Sequence, residues 1–135
     1  SQRIKGEYFV SKTAAKKTVT SDIRTDEQIL KIVMDTLEDN KAEDIVCIDL
    51  QGKTSIASYM VIASGTSQRH VASTAQHVQE KLKAAGFSSA VEGEEKADWV
   101  LIDAFDVIVH IFRPEVREFY NLEKMWSSVA EIRKK

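Results

Sequence analysis

The sequence predicts an α/β domain, a mixed five-stranded sheet flanked by helices. Three observations carry this. Asp44–Leu50 and Tyr59–Ser64 are apolar on successive residues, the pattern of strands covered on both faces. Two segments, opening at Thr25 and after Gly65, repeat apolar residues at helical spacing. Trp99–Ile102 and Val107–Phe112 are strand-like runs separated by a short turn, which is a hairpin signature.

The elements follow in order. Thr25-Asp26-Glu27-Gln28 reads as a capping box, after which Ile29, Leu30, Val33 and Leu37 share a helix face and Asn40 is the stop. Gln51-Gly52-Lys53 turns the chain between the first two strands. Gly65-Thr66-Ser67 opens the longest helix and offers a hydroxyl to cap it. Its stripe is Val71, Ala75, Val78, Leu82 and Ala85, with Gly86 just past the end. Phe87–Val91 is a short strand, and the hairpin follows across Asp103–Asp106. Pro114 suits the first position of a closing helix, where Phe119, Leu122 and Trp126 share a face, and SSVAEIRKK ends the chain on positive charge. Residues 22–135 therefore read as a single domain with order α-β-β-α-β-β-β-α. Residues 1–21 read as a disordered basic tail, because SKTAAKKTVTS has neither apolar period.

Composition narrows the function classes. At 135 residues, with 43% hydrophobic and 30% charged residues, the chain is ordinary for a globular domain. No window approaches the roughly 18 apolar residues of a membrane helix, so no membrane role is expected. The lone Cys47 has no partner for an internal disulfide, which suits a reducing compartment. The net charge of −2 is an average over two opposed regions. Residues 1–20 carry Arg3, Lys5, Lys12, Lys16 and Lys17 against Glu7, a net +4. Residues 92–106 carry six acids against Lys96, a net −5.

No catalytic or cofactor site emerges from the motifs. Gly65-Thr66-Ser67 lacks the glycine pattern of a dinucleotide site and the Gly-Lys-Ser/Thr of a P-loop, so it reads as a turn and helix cap. The same junction is similar to that of nucleotidyltransferases, but two-metal chemistry needs converging carboxylates, and Asp103 and Asp106 merely flank a turn. His70 and His77 stand seven apart, too far for a helical zinc pair. His110 alternates with Ile108 and Phe112 and reads as a half-buried, hydrogen-bonded histidine. Cys47 reads as a small core residue. The acidic run has more to offer. It frames Trp99, and Trp99, Leu101 and Asp103 point to one side of their strand. An aromatic rimmed by carboxylates has the composition of a patch for a basic protein.

From Lys41 to Trp126 the chain resembles the ribosomal silencing factor (RsfS, Iojap) family. The matching pieces are KAEDIVCIDLQGKTSIASYMVIASGTSQRHV at 41–71, VEGEEKADWVLIDAFDVIVHIFRPE at 91–115 and REFYNLEKMW at 117–126. The resemblance implies a nucleotidyltransferase-like topology without catalytic carboxylates, and a non-enzyme that uses no cofactor or metal. It implies binding to the large ribosomal subunit through large-subunit ribosomal protein fourteen. Joining of the small subunit would then be blocked, and translation lowered under nutrient limitation. It further implies a cytoplasmic, bacterial setting rather than an organellar one, help in subunit biogenesis, and a weak homodimer. Trp99 is the expected docking residue, with Asp103 and Asp106 as its charged complement and His110 and Tyr120 beside them. No specific nucleic-acid contact is expected from the folded body. A degenerate or cryptic nucleotidyltransferase is the alternative. Two departures stand out: Ala57-Ser58-Tyr59 where the family usually has Ala-Asp before the aromatic or cysteine, and Phe105-Asp106 where it commonly has Gly-Asp.

Overall fold

The computed structural model describes residues 24–120 and 131–134, with side chains over 24–117. The elements are α1 (Thr25–Asp39), β1 (Glu43–Asp49), β2 (Tyr59–Ser64), α2 (Gln68–Ala84), β3 (Ala90–Glu92), β4 (Trp99–Ala104), β5 (Val107–Phe112), α3 (Pro114–Tyr120) and β6 (Glu131–Lys134). The expected α/β class, with a mixed sheet and flanking helices, is what the chain adopts. The five expected strands are joined by a sixth, β6, whose sequence EIRK had no legible strand pattern. The order across the sheet is β3-β4-β5-β2-β1-β6. β2 and β5 run parallel, and the other neighbours are antiparallel.

The successive apolar residues of β1 and β2 are explained by two cores, one on each face of the sheet. On one face, Ile29, Val33 and Leu37 of α1 and Val71, Val78 and Leu82 of α2 pack over Val61, Val100, Ile102, Val109 and Ile111. All eleven are fully buried. On the other face, Val46, Ile48, Leu50, Met60, Ile62 and Phe112 cluster with Val116 of α3. Cys47 lies in the first core, 2% exposed.

Local signals were met in part. Ser67 caps α2, its hydroxyl accepting from the His70 amide at 3.0 Å. The expected capping box at Thr25 is not formed. Arg24 is the N-cap and makes no side-chain cap bond, and its carbonyl accepts from Glu27 and Gln28. The first-turn acids turn instead to the Arg24 guanidinium, Asp26 at 3.1 Å and Glu27 at 3.2 Å. The helix starts one residue earlier than the box requires, and the Gln28 amide that Thr25 would have capped goes to the Arg24 carbonyl at 3.1 Å. The third strand begins at Ala90, later than Phe87, because the end of α2 uses Phe87. Its amide donates back to the Leu82 carbonyl at 2.8 Å, with Gly86 between them at φ +94°. The tail 1–21 and the expected Phe119, Leu122 and Trp126 face lie outside the described residues and side chains.

Candidate functional site

Register places three of the expected docking residues, Trp99, Asp103 and His110, on the second face of the sheet, toward its β3 edge. Three cross-strand rows form this region. Ala90, Asp103 and Ile108 make one row, Glu92, Leu101 and His110 the next, and Trp99 with Phe112 the third. Burial increases along each row, from exposed Ala90 and Glu92 on β3 to fully covered Met60 and Ile62 on β2. Half-buried Trp99, Leu101 and Ile108 therefore sit between a closed core and the exposed carboxylates of Glu92 and Asp103.

Trp99 is held in place from several sides. Its indole Nε1–H donates to Nδ1 of His110 at 2.9 Å. Its ring lies 4.8 Å from that of Phe112, centroid to centroid, at 32°. His110 and Phe112 are themselves stacked at 5.9 Å and 11°. The bond from Trp99 makes Nδ1 an acceptor, so neutral His110 carries its proton on Nε2. Burial favours that neutral form and pushes the His110 pKa down to about 4. Side-chain contacts brace the residue before β4. Asp98 accepts from Gln68 of α2 at 3.0 Å and from Arg113 at 3.2 Å. These two hydrogen bonds, first Gln68 and then Arg113, hold its carboxyl below the usual range. Gly93, at φ +85°, passes so close that a Cβ there would stand 2.3 Å from the Trp99 carbonyl oxygen.

Trp99, Asp103 and His110 share this face, as the alternation of β4 and β5 requires. His110 is only 8% exposed and lies behind Trp99, so it supports the indole and presents little surface itself. Asp103 accepts from the Phe105 amide at 3.2 Å, so part of its capacity goes to holding the hairpin turn. Asp106 is exposed at the turn, and its carbonyl accepts from Ser58 and Tyr59 at 2.7 and 3.1 Å. Tyr120 ends α3, and its side chain is outside those described. Leu101 lies on the Trp99 side, as strand alternation implied, while Ile108 and Glu92 join the lining only through register. Ile108 pairs with Asp103 across β4–β5, and Glu92 with Leu101 across β3–β4.

The other constellations are structural. His70 Nδ1 accepts from the Thr66 amide at 2.9 Å, which leaves Nε2–H to donate to the Asn40 carbonyl at 2.7 Å. His77 Nδ1 donates to the Asn40 side-chain oxygen. Both histidines thus fasten α2 to the end of α1. Among the described residues, no three His, Cys, Asp or Glu side chains gather as metal ligands would. No described helix is long and apolar enough to cross a membrane.

The sequence profile of the RsfS family, "Ribosomal silencing factor during starvation", matches residues 23–135. This chain belongs to the RsfS family. It is 57% identical over 101 residues to the ribosomal silencing factor RsfS of Zymomonas mobilis, covering 74% of this chain and 76% of that one. The mouse protein named mitochondrial assembly of ribosomal large subunit protein 1 is 30% identical over 102 residues, covering 73% of this chain and 45% of that one. The RsfS-family chain also matches a crystal structure from Chromobacterium violaceum with a TM-score of 0.74 at 41% identity, covering 77% of this chain and 88% of that one. A Bacillus halodurans structure matches with a TM-score of 0.68 at 34% identity, over 74% and 94% of the two chains.

Proposed function

We propose that this RsfS-family protein silences ribosomes by docking its β3–β4–β5 face on large-subunit ribosomal protein fourteen. Bulk placed there blocks joining of the small subunit and lowers translation under nutrient limitation. One observation carries the reading: Trp99, Leu101 and Ile108 form a half-buried apolar strip framed by Glu92 and Asp103, with the indole held by His110. A fixed aromatic loses little conformational freedom on binding, and the surrounding carboxylates speed encounter with a basic partner. Steric exclusion requires a docking surface and bulk, and no bond is made or broken. The same strip would support a weak homodimer.

Membership of a ribosomal silencing family and 57% identity to a bacterial relative support the bacterial cytoplasm as the setting. The 30% identity to the mouse mitochondrial protein makes an organelle the poorer fit. Sedimentation tests the reading directly. Added to separated subunits, the protein should shift the gradient from joined ribosomes to free subunits and travel with the large one. Undiminished joining at saturating protein would refute it. Metal-dependent nucleotide transfer that disappears in D103A and D106A would favour an enzyme instead.

A further inference from the structure

Among the described residues two large apolar side chains stand out in solvent, Ile56 at 59% exposure and Phe105 at 68%. They lie at the same end of the sheet. The amides of Ser58 and Tyr59, at the end of the loop carrying Ile56, donate to the Asp106 carbonyl in the turn carrying Phe105. A single exposed apolar residue is ordinary. The backbone of Phe105 is not. Ala104 pairs with Val107, so the hairpin loop is two residues, Phe105-Asp106, and Phe105 adopts φ +64° while Asp106 does not have a positive φ. The first position of such a turn favours glycine, because an L side chain there crowds its own backbone. Asp103 steadies the turn by accepting from the Phe105 amide. The ring itself stays in solvent and adds nothing to either core. Strain that no packing within the fold offsets points to a contact outside it.

We propose that Phe105, backed by Ile56, is an apolar prong of the docking face that seats in an apolar depression of the same basic ribosomal protein. This rests on the docking reading above and extends it by a further contact. The prong continues the face, since Asp103 is both a member of the outermost cross-strand row and the acceptor for the Phe105 amide. Exposed Asp103 and Asp106 share the hairpin end with Phe105, so lysine or arginine side chains would line the rim of the depression.

The strain makes the test discriminating, because stability and binding should respond differently to one substitution. The full chain and its F105G, F105N and I56S variants would be titrated against isolated large subunits, with thermal melts in parallel. Glycine and asparagine both tolerate the turn. F105G and F105N should therefore melt no lower than the parent by more than a degree or two, yet bind about tenfold more weakly. I56S should weaken binding by a smaller factor. If the parent binds and F105G and F105N bind within about twofold of it, the prong is refuted and the Trp99 face stands. If the parent itself does not bind large subunits, both readings fall together. A large fall in melting temperature for F105G and F105N alike would show that the ring serves the fold, and would also refute the prong.

Discussion

The Trp99 indole donates to Nδ1 of His110 across the β4–β5 pair, so a buried neutral histidine sets the pose of a half-exposed tryptophan. Removing the imidazole deletes this hydrogen bond and part of the packing against the indole. His110→Ala should therefore cost about 2 kcal/mol in urea unfolding. His110→Asn, whose side-chain oxygen can replace Nδ1, should cost less. The Trp99 indole proton resonance should move in H110A and stay close to its original position in H110N.

The same pair gives the protein a pH dependence of defined sign. The unfolded chain takes up the His110 proton near pH 6.5, and the folded chain only near 4. Between those values the unfolded state holds more protons, so stability rises with pH and is lost as pH falls from 6.5 toward 4. The full effect is about 3 kcal/mol. Denaturant midpoints at pH 7.5 and 5 should differ in the parent and converge in H110N. An unchanged difference in H110N would assign the dependence to other groups.

Trp99→Ala removes the centre of the apolar strip while leaving Phe112 and the rest of the second core in place. It should abolish binding to isolated ribosomal protein fourteen, a loss of at least about 2 kcal/mol, with the far-ultraviolet dichroism unchanged. Retained affinity would remove Trp99 from the interface.

Gly93 supports Trp99 through the backbone. A methyl group there would meet the Trp99 carbonyl oxygen at 2.3 Å, and φ is +85°. Gly93→Ala should cost at least about 2 kcal/mol and loosen the start of β4. Hydrogen exchange at Trp99 and Val100 would report it, and parent-like protection there would be the contrary result.

Asn40 joins the two long helices through His70 and His77, and its amide also donates to the Thr36 carbonyl at 2.8 Å. Asn40→Ala should cost roughly 1–2 kcal/mol, read as a lower melting temperature. Binding to large subunits should be unaffected, because this junction belongs to the helical face of the sheet.

Patterns of local origin were legible in the sequence. Continuous apolar runs marked β1 and β2 as buried on both faces, and alternation placed Trp99, Leu101 and Asp103 on one side of β4. The Thr25 cap and the Phe87 strand start differ from the sequence expectation for a shared reason. In each, a neighbouring carbonyl takes the amide the expected element needs: Arg24 that of Gln28, and Leu82 that of Phe87.

The opposed charges, the lone buried cysteine and the α/β class were determined by the sequence alone, because they depend on composition and on periods a few residues long. The tertiary structure decided which residues stand together. Ile108 and Glu92 join Trp99 and Leu101 through strand register, His110 moves behind the indole, and β6 takes an edge that its short polar sequence could not announce. Pairing of distant strands is settled by burial of whole faces against the helices, a property of no single segment.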